Sequence, residues 1–180
     1  MKKFQFLLLD AGPIIKLFEL SLWDKFIEKC DVIIPRTIVE DETVFFGTED
    51  NKTFLEQGLA SYEKRGLVKI VDIPLSQIDA FYKKFDITYQ SILDPGEKEA
   101  LTFLFNTSEC YLLCSADRAV FRVLGLLGKS EQGISLEEIL QKIGLSPSRL
   151  EGKFTKKFRE NYTRLGQKDA FQDKGLKRDS

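Results

Sequence analysis

Phe6-Leu7-Leu8-Leu9-Asp10 and Tyr111-Leu112-Leu113-Cys114-Ser115-Ala116-Asp117 decide how this chain is read. Each is a short apolar run that reaches a carboxylate, the pattern of a buried parallel strand with an acid beyond its carboxyl end. Between them lie Ile38-Val39-Glu40-Asp41-Glu42 and Asp94-Pro95-Gly96-Glu97-Lys98-Glu99-Ala100-Leu101, which add Glu40, Glu97 and Glu99 as further acids. The chain contains no histidine. A pocket of carboxylates without imidazole suits a hard divalent cation with oxygen ligands, Mg²⁺ or Mn²⁺.

Working outward, the segments alternate. Phe4 to Leu9 predicts a first strand, and Pro13 suits the first turn of a helix running to about Lys29. Val32-Ile33-Ile34 is a second strand, followed by helices from Arg36 to Phe46 and from Thr53 to Arg65, the latter stopped by Gly66. Leu67 to Ile73 is a third strand, Ser76 to Phe85 a helix and Asp86 to Asp94 irregular. A helix from Glu97 to Asn106 precedes the fourth strand, Tyr111 to Cys114. Arg118 to Leu127 is helical, and a fifth strand has only a weak signal between Gly128 and Ser135. Ser135-Leu136-Glu137-Glu138 reads as a capping box, and a last helix spans Ser146 to about Leu165, with order fading beyond Gly166. Strands alternating with helices predict an α/β fold with a parallel sheet covered on both faces. Ligands bind such sheets at the carboxyl ends of the strands, where the strand order reverses. Asp10 and Asp117 face each other if the first and fourth strands are neighbours there.

The chain has 180 residues, 43% of them hydrophobic and 31% charged, enough for one domain that needs neither disulfides nor zinc. No apolar run is long enough to span a membrane, so no membrane association is expected. Met1-Lys2-Lys3 precedes an apolar run too short for a signal peptide, which makes a cytoplasmic location the expectation. Cys30, Cys110 and Cys114 lack metal-binding or disulfide spacing and read as reduced, mostly buried thiols. The net charge is −1, but residues 151–180 hold nine Lys or Arg and five Asp or Glu, a +4 segment on a −5 remainder. The expected division is therefore one α/β domain over 1–150 and a basic, helical and partly disordered extension over 151–180. Such a segment can meet a polyanion or simply be a solvated helix.

Each acid has an ordinary structural use as well. Asp10 could cap the helix that Gly12-Pro13 opens, and Asp117 or Ser115 could cap the helix from Arg118. Asp94 and Glu97 fit a capping box, yet Glu97 shares a helical stripe with Leu101 and Leu104. Glu97 and Glu99 are equal candidates for direct ligation, the other standing behind it. Glu40 is the least distinctive, since Asp41 or Glu42 could act in its place. Converging carboxylates repel one another unless they protonate or bind a cation. A bound metal activates water and stabilises a leaving oxygen, which supplies the chemistry of phosphodiester cleavage without histidine. The candidate set is Asp10, Glu40, Glu97, Glu99 and Asp117 as metal ligands, with Ser115 orienting water. Lys16, Arg36, Lys98, Arg118 and Arg122 are candidates to hold phosphates.

Four pieces in order, Leu7-Leu8-Leu9-Asp10-Ala11-Gly12-Pro13-Ile14-Ile15, Ile34-Pro35-Arg36-Thr37-Ile38-Val39-Glu40, Gly96-Glu97-Lys98-Glu99-Ala100-Leu101 and Cys114-Ser115-Ala116-Asp117-Arg118, resemble the PIN domain, a family of metal-dependent nucleases. The Gly-Glu-x-Glu-Ala form looks like the branch with glutamate at the third acidic position. The resemblance implies a three-layer α/β/α sandwich with a central parallel sheet. It implies Mg²⁺ or Mn²⁺ at the acidic pocket and single-stranded RNA as substrate. Many relatives are the toxin of a toxin–antitoxin pair and many dimerise, so an antitoxin-like protein partner and a homodimer are further expectations. The sequence departs from the family after Gly128, where Lys129-Ser130-Glu131-Gln132-Gly133-Ile134 is polar, and in its basic, aromatic C-terminal segment. The rival reading is a non-catalytic module that binds RNA or protein through that segment. The haloacid-dehalogenase pattern requires a second Asp where Gly12 stands, and the paired acids of receiver domains are absent.

Overall fold

A computed structural model describes residues 4–8, 11–42, 59–145 and 150–177, with the side chains of 4–8, 11, 41 and 42 excepted. The order of elements is β1 (Phe4–Leu8), α1 (Ala11–Glu19), α2 (Trp23–Lys29), β2 (Cys30–Pro35) and a π-helical turn (Ile38–Glu42). There follow α3 (described over 59–64), β3 (Val68–Val71), α4 (Leu75–Tyr82), α5 (Ile87–Gln90), α6 (Pro95–Asn106) and β4 (Leu112–Cys114). Then come α7 (Arg118–Leu126), β5 (Gly133–Ile134), α8 (Leu136–Lys142) and α9 (Lys156–Phe171).

The strands pair in parallel in the order β3-β2-β1-β4-β5. Val32 and Ile34 of β2 join one apolar cluster with Ile14, Leu17, Trp23 and Phe26, while Ile33 joins another with Phe85, Leu101, Leu113 and Val120. This period-two alternation is what a pleated strand imposes. The expected three-layer α/β/α sandwich with a central parallel sheet nevertheless requires correction. Helix dominates the described chain and the strands are slender: β4 has three residues and β5 two. The reason is local. The apolar runs are short, and the polar stretch Lys129–Gln132 spends itself on a 3₁₀ turn at Ser130–Gln132 before β5 begins.

Several boundaries differ from the sequence reading for physical reasons. The single helix expected up to Lys29 is broken into α1 and α2, because Ser21 adopts φ 54° and the amide of Leu22 turns back to the carbonyl of Leu17 at 2.9 Å. The stretch expected to be irregular contains α5, capped by Asp86, whose carboxylate accepts the Tyr89 amide at 3.1 Å. Asp94 and Glu97 form the expected capping box on α6, and Ser135 and Glu138 the expected one on α8. The helices read over 36–46 and 53–65 fall partly outside the described residues.

Where order is expected to fade beyond Gly166, α9 continues to Phe171. A Cβ at Gly166 would collide with the carbonyl oxygen of Arg122, and one at Gly125 with that of Thr163, so α7 and α9 touch backbone to backbone. Arg159 holds the carboxylate of Glu138 with both fork nitrogens, at 2.8 and 2.9 Å. Asp169 accepts from Tyr89 Oη and from Arg122 Nε, both at 2.6 Å. Beyond α9, the Asp86 amide donates to the Gly175 carbonyl at 2.9 Å and Leu176 bridges Phe85. Among the described residues no helix is long and apolar enough to cross a membrane.

Candidate active site

β1 pairs directly with β4, in the register Leu7↔Leu113 and Leu8↔Cys114. β2 and β3 extend from one side of this pair and β5 from the other, so the strand order reverses here. The condition on which the sequence argument depended, that the first and fourth strands be neighbours, is therefore met. Asp10 follows β1 by two residues in sequence but lies outside the described residues.

At the end of β4 the chain makes a tight turn. Ser115 is fully buried and its Oγ accepts the Asp117 amide at 2.8 Å. Asp117 is the N-cap of α7, its Oδ1 accepting the Ala119 amide at 2.6 Å. Both residues thus have the capping and turn roles that the sequence allowed them. The turn also fixes the direction of the Asp117 carboxylate, because backbone and side chain are tied at two points. Ser115, expected to orient water, holds the Asp117 amide in this turn.

Glu97 and Glu99 sit in the first turns of α6 and are 3% and 4% exposed. A carboxylate is rarely buried so deeply without compensation. The amino end of α6 favours negative charge, and Glu97 Oε2 accepts the Asp94 amide at 2.9 Å. Glu99 is held differently. Its Oε2 accepts the Thr37 amide at 3.2 Å and its Oε1 the Ile73 amide at 3.3 Å. Thr37 follows β2 and Ile73 follows β3, so one side chain of α6 ties together the carboxyl ends of two strands. Of the two glutamates that the sequence could not separate, Glu99 is the one engaged by backbone amides from two other elements.

Glu40 is exposed on the π-helical turn, with Oε1 3.4 Å from an Arg36 nitrogen. Arg36 also donates from Nε to Asp72 at 2.6 Å, and Asp72 first and Glu40 second hold its guanidinium above its ordinary pKa. The side chains of Asp41 and Glu42 are outside the description. Among the candidate phosphate ligands, Lys16 pairs with Glu151 at 2.8 Å and with Glu19 at 2.5 Å, which raise its pKa in that order. Lys98 lies over the Tyr82 ring at 4.1 Å, and Arg122 over Tyr89 at 5.0 Å. Arg118 is exposed at the first position of α7.

Among the described residues no three carboxylates or thiolates gather closely enough to hold a metal ion. Glu97, Glu99 and Asp117 each present carboxylate oxygens held by backbone amides, the donor type that a hard divalent cation takes, and Glu40 is exposed. Sequence reading missed the Tyr89–Arg122–Asp169 network, in which an arginine counted as a phosphate ligand is used to anchor α9. The only available signal was that Arg122 lies on a helix whose neighbouring positions are all apolar. In comparisons with known proteins, no family model, no curated protein and no solved structure matches this chain.

Proposed function

We propose that this protein is a metal-dependent endoribonuclease that hydrolyses phosphodiester bonds of single-stranded RNA. The observation that carries the reading is the direct pairing of β1 with β4, which sets the Ser115-Ala116-Asp117 turn at the reversal of strand order where such folds bind ligands. The motif order and its resemblance to PIN-domain nucleases support it. Asp10, Glu97 and Asp117 would hold Mg²⁺ or Mn²⁺, which when bound supplies an activated water and charge stabilisation at phosphorus. Hydrolysis of a phosphodiester adds one water across a P–O bond and leaves a phosphate monoester and a hydroxyl.

The chain's own residues do the positioning. Ser115 and the Ala119 amide hold Asp117, the Asp94 amide holds Glu97, and Glu99 braces the strand ends that carry Arg36 and Thr37. Arg118, exposed next to Asp117 in sequence, would meet a phosphate. Cys30, Cys110 and Cys114 are thiols, with Cys110 exposed, which suits a cytoplasmic enzyme. The toxin role, with an antitoxin-like partner and a homodimer, is the finer form of this reading and rests on the resemblance.

Cleavage of a labelled single-stranded RNA with Mn²⁺ or Mg²⁺, and with EDTA as control, tests it. Asp117→Asn keeps an equally good N-cap, and Glu97→Gln keeps an oxygen for the Asp94 amide. Both should therefore fold normally and lose cleavage by about a hundredfold or more. Undiminished cleavage in both folded variants would refute the assignment.

A further inference from the structure

The helix α9 turns one face inward and leaves another unused. Arg159, Thr163, Gly166 and Asp169 meet α7 and α8. On the opposite side Lys157, Asn161, Arg164, Lys168 and Phe171 recur at intervals of four, three, four and three residues, one straight stripe of an α-helix. All five are exposed, Phe171 at 91%. The acids of the helix are engaged elsewhere. Asp169 pairs with Arg122, and Glu160 lies 3.6 Å from Lys156 and 3.8 Å from Arg159. Among the described residues no carboxylate pairs with Lys157, Arg164 or Lys168.

We infer that this stripe is a binding track for single-stranded RNA. Lys157 to Lys168 covers about 16 Å at the helical rise, long enough to meet several successive phosphates. Phe171, at the end of the row, offers a fully open ring on which a base can stack. A line of cations ending in an exposed aromatic is the combination that holds single strands without reading their sequence. The close approaches of Gly125 to Thr163 and of Gly166 to Arg122 fix the track to the body of the protein, so a strand lying on it keeps a defined position relative to α7, whose first residue follows Asp117. The choice of RNA rests on the ribonuclease reading, but binding to the track needs neither metal nor Asp117.

The test is fluorescence anisotropy of a labelled oligouridylate of about twelve nucleotides, titrated in EDTA over a series of salt concentrations. Combined Lys157→Ala, Arg164→Ala and Lys168→Ala changes exposed positions to the best helix former, so the fold is retained. The expected result is at least a tenfold loss of affinity and a salt slope shallower by about 2, from about 0.7 per lost phosphate contact. Phe171→Ala should weaken binding about tenfold with the slope unchanged. Wild-type binding by the triple variant would overturn the inference. So would a Phe171→Ala variant of full affinity whose RNA is displaced equally well by polyphosphate, because the face would then be a plain ion exchanger. If the track binds while no RNA is cleaved in Mn²⁺, the catalytic reading fails and this one stands.

Discussion

Glu99 shows how much a single buried carboxylate can organise. It is 4% exposed, and its two oxygens accept amide protons from residues that follow two different strands. Removing an acceptor leaves part-buried donors without a partner, which costs about 1–3 kcal/mol. Glu99→Ala should lower the urea-unfolding free energy by roughly that amount, and hydrogen exchange at the Thr37 and Ile73 amides should accelerate more than at β4. Glu99→Gln retains one acceptor oxygen and should lie between the two. Unchanged exchange at both amides would show that the clamp is not formed in solution. The sequence made Glu97 and Glu99 visible as a pair but could not separate their roles. Their difference depends on which backbone amides reach α6 from β2 and β3, and those contacts span 62 and 26 residues. The capping pairs Asp94/Glu97 and Ser135/Glu138 were legible because their partners lie three residues apart.

At the level of elements, the least legible feature is the junction of α7 and α9. Gly166 reads as a stop signal, since glycine costs about 1 kcal/mol relative to alanine inside a helix. In the structure it is a contact residue, and the helix runs through it because Arg122 comes too close for any Cβ. Gly166→Ala therefore gains helix propensity yet should destabilise the protein. A methyl group forced into this backbone contact should cost about 1–3 kcal/mol. A lowered melting temperature is expected, and an unchanged or raised one would mean that α9 does not pack on α7 as described. The break between α1 and α2 escaped the sequence for a related reason. Leu20-Ser21-Leu22 continues the apolar pattern, and only the positive φ of Ser21 ends the helix. Strand positions were easier to find, because short apolar runs bounded by charge have few alternatives.

For the molecule as a whole, the neighbouring of β1 and β4 was a conditional deduction, and the pairing register meets the condition. The three-layer sandwich around a central parallel sheet was over-read, since five short strands leave most of the described chain to helix. At the reversal of strand order the turn after β4 holds Asp117 as the N-cap of α7, and Glu97 is buried in the first turn of α6. We propose that Asp10, Glu97 and Asp117 share a divalent cation. A ligand that binds only the folded state stabilises it by mass action, by about 2.7 kcal/mol at a hundred times its Kd. The deciding measurement is thermal unfolding of the wild type, Asp10→Asn and Asp117→Asn over a series of Mn²⁺ concentrations against an EDTA baseline. The account predicts a concentration-dependent rise in Tm for the wild type that is lost in both variants. An equal rise in all three proteins, or none in any, would contradict it.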